Sequence, residues 1–105
     1  MPRLLDESEI KKRLKTLKEW KYEGEFITRS FEFESFMEGI AFVSRVAELA
    51  EKEEHHPDIR IRYTTITLLS QTHTEGGVTE WDFELAGAID KMVAAMKVKP
   101  HAKLG

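Results

Sequence analysis

Cysteine is absent from the 105-residue chain. That absence excludes a disulfide scaffold, a thiolate nucleophile and a zinc–cysteine site, and it fits a reducing compartment. Proline is scarce, and two of the three residues, Pro57 and Pro100, read as helix terminators. No stretch approaches the ~20 apolar residues of a membrane span. The start, Met1-Pro2-Arg3-Leu4-Leu5-Asp6, lacks an apolar run of signal-peptide length. A cytoplasmic location with no membrane association is therefore expected. Neither sign of charge dominates, with 19 acidic and 16 basic residues and a net charge of −3. The two signs are interleaved without a basic stripe, so no direct nucleic-acid binding is expected. Repeats, low-complexity tracts and linkers are missing as well.

What is present fits a folded globule: 41% hydrophobic and 33% charged residues. The length fits one domain, 1–105, burying ~60–68% of its unfolded surface. A first helix starts at Asp6, with Glu9 completing a capping box and Leu5 and Ile10 at the staple positions. Ile10, Leu14 and Leu17 continue it at helical spacing, and Lys11-Lys12-Arg13 reads as its solvated face. Trp20–Tyr22 and Phe26–Phe33 read as strands joined at Glu23-Gly24-Glu25. Ser35 and Glu38 open a second helix that runs to about Glu54. Its apolar residues form two stripes, Phe36, Ile40, Val43, Ala47 and Ala50, and beside it Phe42, Val46 and Leu49. Together they exceed the ~100° arc needed to pack on one core. The second stripe is expected to meet a symmetry mate in a homodimer or homotetramer, so that Val46→Glu breaks assembly before it unfolds the subunit.

Ile59, Ile61 and Tyr63 alternate with arginines as a half-buried strand, and a β-branched strand follows from about Thr65 to Thr72. Gly76-Gly77 breaks it. Thr79 and Asp82 then cap a third helix with Val78 and Phe83 as staple, running to Lys99-Pro100. The fold class implied is α+β: a single α-β-β-α-β-β-α domain, a four-stranded antiparallel sheet with three helices packed on one face.

Three of the four histidines fall at element ends: His55 and His56 where the second helix stops, and His73 where the fourth strand stops. Element ends on a rigid scaffold are where sites are usually built. Glu51, four residues before His55, can orient that ring if the helix continues so far. The plainer readings are a solvated cap for the histidine pair and a capping role for Asp82. A metal is not expected, because adjacent helical residues do not face one another and no spaced ligand motif such as HExxH occurs.

The joint spacing Glu51…His55-His56-Pro57…Tyr63…Thr72-His73…Gly77…Thr79…Asp82, with an early Trp20, resembles the pterin-4a-carbinolamine dehydratase family over nearly the whole chain. The resemblance implies a hydro-lyase acting on 4a-hydroxytetrahydropterin in tetrahydrobiopterin recycling, without metal or redox cofactor. It implies His55 and His73 as the acid–base pair and His56 as a residue that binds and orients the pterin. Glu51 would support the histidines, Asp82 would complete the polar pocket, and Trp20 would border it. Trp81 departs from the family's usual arginine before the aspartate. That departure keeps open an alternative, a non-catalytic interaction, assembly or transcription-cofactor module of the same fold.

Overall fold

The computed structural model of the protein describes residues 2–96 and residue 100. The element order is α1 (Glu7–Leu14), β1 (Lys21–Glu23), β2 (Phe26–Glu32), α2 (Phe36–Glu53), β3 (Asp58–Arg62), β4 (Thr65–Ser70) and α3 (Glu80–Ala95). A short 3₁₀ turn at His73–Glu75, not anticipated from the sequence, precedes α3. This is the α-β-β-α-β-β-α order that the patterning implies. The strands form one antiparallel sheet in the order β1-β2-β4-β3, so the second strand of each hairpin lies at the centre.

Local chemistry accounts for most boundaries. Asp6 accepts the Glu9 N–H at 2.8 Å while Glu9 reaches back to the Asp6 N–H, closing the first capping box. Leu5 and Ile10 beside it are buried. Helix α1 ends at Leu14, so Leu17 packs from the following turn instead of from the helix. Gly24 makes the β1–β2 turn at φ +60°, a region that favours glycine. Ser35 caps α2 by accepting the Glu38 N–H. Thr79 and Asp82 form the reciprocal box that opens α3. Helix α3 stops at Ala95, with Met96 extended at ψ 143°, earlier than the expected Lys99-Pro100; residues 97–99 lie outside those described.

Ile27 and Phe31 from β2 and Ile66 and Leu68 from β4 share the core face of the sheet. Phe42 of α2 lies over them, its ring centroid 4.7 Å from Phe31 and 5.1 Å from Phe33. Leu85, Ala86 and Ile89 of α3 complete the core.

Two expectations need correction. The Phe42–Val46 stripe of α2 is not a surplus face: Phe42 and Val46 are 1% and 0% exposed within the single chain. The other stripe is open only in part: Phe36 is 45% exposed and its neighbour Met37 69%, whereas Val43 packs against the core and Ala50 is buried. Sequence periodicity gives two stripes but not which one meets the sheet. Val46→Glu would bury a charge in the core and unfold the subunit, not dissociate an assembly. Strand β3 is also less buried than alternation suggests. It is an edge strand in which only Ile59 is half-buried, while Ile61 is 46% exposed and Tyr63 sits in the following turn at φ +50°.

Candidate active site

The two adjacent histidines are separated by the way α2 ends. Glu54 takes a left-handed conformation at φ +54°. Its N–H donates to the Glu51 carbonyl and the His55 N–H reaches back to Ala50 at 3.1 Å. These are the paired bonds of a Schellman cap. A non-glycine residue in this conformation costs about 1–2 kcal/mol. The turn takes His55 off the helical face and delivers the two rings to different surroundings.

His55 turns inward. Its side chain is 10% exposed, and Nε2 lies 2.6 Å from Oδ1 of Asp82, which is fully buried. The Ser70 hydroxyl donates to the same oxygen at 2.6 Å. The other oxygen, Oδ2, accepts the Thr72 hydroxyl and the Thr79 N–H, each at 2.9 Å. Four donors match the roughly four lone-pair sites of an ionised carboxylate. Because Thr72 gives its hydrogen to Asp82, the Thr79 hydroxyl donates to Thr72 across 2.7 Å, and Thr79 in turn accepts the Trp81 N–H. Asp82 thus caps α3 and at the same time accepts the His55 ring, joining the start of α3 to the end of α2.

His56 turns outward and pairs with Glu51, the two side chains 63% and 76% exposed. The sequence spacing assigned Glu51 to His55. Because the helix stops at Glu53, His55 has left the face that Glu51 occupies, and the carboxylate meets His56 instead. His73 is exposed in the 3₁₀ turn, and no side-chain hydrogen bond holds it among the described residues. Its neighbour Thr72 is nevertheless fixed to Asp82, so one buried carboxylate anchors both the end of α2 and the segment that carries His73.

A cavity of about 410 Å³ opens beside His55, lined by Glu53, Glu54, His55, Trp81 and Glu84. Trp20 is not among its walls. It is 3% exposed in the core and donates its indole N–H to Asp90 at 2.8 Å, an acceptor it shares with Arg29. Trp20 therefore supports α3 about two turns beyond Asp82. Among the described residues no three histidine or carboxylate side chains cluster as metal ligands would. Ser70 is the member of the cluster that neither the motif nor the capping pattern singles out. Ser70 carried a usable signal: it continues the core-facing register of Ile66 and Leu68, and a polar residue on such a face requires a buried partner.

The pterin 4 alpha carbinolamine dehydratase family matches residues 3–92, a span that contains every residue of this cluster. The chain belongs to that family. A Chloroflexus aurantiacus protein named "Putative pterin-4-alpha-carbinolamine dehydratase" is 48% identical over 93 residues, covering 89% of this chain and 99% of the relative. A Sulfolobus acidocaldarius protein of the same name is 44% identical over 88 residues, covering 84% and 97%. Among solved structures, a transcriptional coactivator/pterin dehydratase from Brucella melitensis superposes with a TM-score of 0.78 at 37% identity, covering 84% of this chain and 96% of that one. A pterin dehydratase-like RuBisCO assembly factor of the alpha-carboxysome shares the fold, with a TM-score of 0.61 at 22% identity over 73% of this chain and 92% of its own.

Proposed function

We propose that the protein removes water from a 4a-hydroxytetrahydropterin to give the quinonoid dihydropterin, by histidine general acid–base catalysis, as a step of tetrahydrobiopterin recycling in the cytoplasm. The observation that carries this reading is the His55–Asp82 pair at the cavity. An ionised carboxylate only accepts hydrogen bonds, so Nε2 of His55 keeps its proton whether or not the ring is charged. Proton exchange is then left to Nδ1. That atom has no hydrogen-bond partner, yet no unpartnered buried side-chain nitrogen or oxygen exists among the described residues, so it is open to solvent or to a ligand.

Dehydration needs a proton delivered to the departing hydroxyl and one removed from the neighbouring ring nitrogen. His55 and His73 take these two roles, and His56, steadied by Glu51, binds and orients the ring. Help of this kind supplies ~10²–10⁴-fold, about 3–5 kcal/mol of barrier. Stopped-flow dehydration of synthetic carbinolamine tests it. His55→Ala and His73→Ala should each slow turnover by ~10²-fold or more, and full activity should survive exhaustive chelation. Since His73 is exposed, its variant should keep wild-type stability. Unchanged rates in both variants discard the acid–base assignment, and an inactive wild type favours an interaction module instead.

The working form in this reading is a homodimer or homotetramer. Phe36 and Met37 at the start of α2, and Ile61 and Tyr63 at the edge strand, are 45%, 69%, 46% and 73% exposed. Large apolar side chains left open in this way are characteristic of association surfaces. Light scattering at micromolar concentration should show a multiple of 12.2 kDa, and a species of that mass alone would sink the assignment.

A further inference from the structure

Trp81, next to Asp82 in the chain, is a large apolar side chain that remains open to solvent. It stands on the first turn of α3, 41% exposed, with its ring centroid 6.0 Å from that of His55 and the planes at 70°. Glu84, three residues further on, shares its helical face. With Glu53, Glu54 and His55 they line the cavity. Among the described residues no lysine or arginine lines it. The carbonyl end of α2 adds partial negative charge and the first turn of α3 partial positive charge, so the three carboxylates set the sign of the field. An aromatic side chain and three carboxylates therefore line the same cavity as His55.

That combination suits a flat ring that gains positive charge, because an indole face and fixed carboxylates both favour a cation most where water is displaced. The dehydration proposed above produces such a ring. The protonated hydroxyl leaves as water, taking the C4a–O bonding pair with it. The N5 lone pair closes the C4a=N5 bond, leaving a cation that gives up its N5 proton to a base. Protons given and taken cancel, so the products are the quinonoid dihydropterin and water. We infer that Trp81 is the ring-binding wall of this site and that, with Glu84 beside it, it selects planar pterin-type ligands that become cationic as water departs. This rests on the pterin reading of the cavity, and its two parts are separable by experiment.

Isothermal titration of the intact protein with 7,8-dihydrobiopterin, a stable planar analogue, measures ring binding without turnover. Trp81→Leu should weaken binding about tenfold and Trp81→Phe less than threefold, because phenylalanine keeps an aromatic face. Glu84→Gln should leave the affinity for this neutral analogue unchanged while lowering kcat several-fold. Both tryptophan variants alter a half-open side chain and should retain the wild-type denaturation midpoint. Trp81→Leu with unchanged affinity, KM and kcat overturns the wall while leaving the dehydratase reading intact. A wild type that binds the analogue through Trp81 but turns over no carbinolamine supports the wall and removes the reaction.

Discussion

Among its described residues the protein holds two histidine–carboxylate pairs that start from neighbouring residues and differ in almost every physical respect. His55–Asp82 joins residues 27 apart in sequence, with side chains 10% and 0% exposed and three further donors on the carboxylate. His56–Glu51 joins residues five apart, with side chains 63% and 76% exposed and no further hydrogen bonds to either side chain among the described residues. Water competes for the second pair and screens it. The first is shielded and forms part of a network whose members depend on one another. Equal chemistry in the two pairs therefore has different consequences: one ties the end of α2 to α3, the other stays at the surface in contact with water.

The largest effect should follow from Asp82→Ala, which strips the shared acceptor from His55, Ser70, Thr72 and the Thr79 N–H. Breaking a buried pair by removing one partner costs about 3–5 kcal/mol, a large part of the 5–15 kcal/mol that holds a domain of this size. Urea denaturation should show a lower midpoint, and a shift equal to that of an exposed substitution would erase the contrast between the pairs. Glu51→Gln should cost less than about 1 kcal/mol in the same measurement, as exposed ion pairs do. A loss as large as that of Asp82→Ala would mean that His56 is structural.

The smallest effect concerns a third pair. Arg3 and the capping box with Asp6 hold the Glu9 carboxyl at about 2, below its ordinary 4.5. A carboxyl that ionises more readily in the folded state adds stability above pH ~4.5 and loses it as the pH falls toward 2. The midpoint difference between wild type and Glu9→Gln should therefore shrink across that window. A difference independent of pH would assign the contribution to packing of the side chain alone.

Composition and local spacing determined the element order, both hairpins, the capping boxes at Asp6–Glu9 and Thr79–Asp82, and the placement of the histidines at element ends. These features depend on groups within a few residues of one another, whose geometry the backbone period already sets. The family was legible for the same reason, since its motif is a string of spacings along the chain. Only the tertiary structure decided that Glu51 serves His56 and Asp82 serves His55, because the left-handed Glu54 rotates His55 off the helix and packing brings α3 beneath it. It likewise decided that Phe42 and Val46, not Phe36 and Met37, face the sheet, and that Trp20 binds Asp90 instead of bordering the cavity. A helical stripe records which residues avoid water, but which stripe meets the sheet is set by how close the helix can come to the strands. That quantity depends on side chains distant in sequence and exists only once the layers have packed.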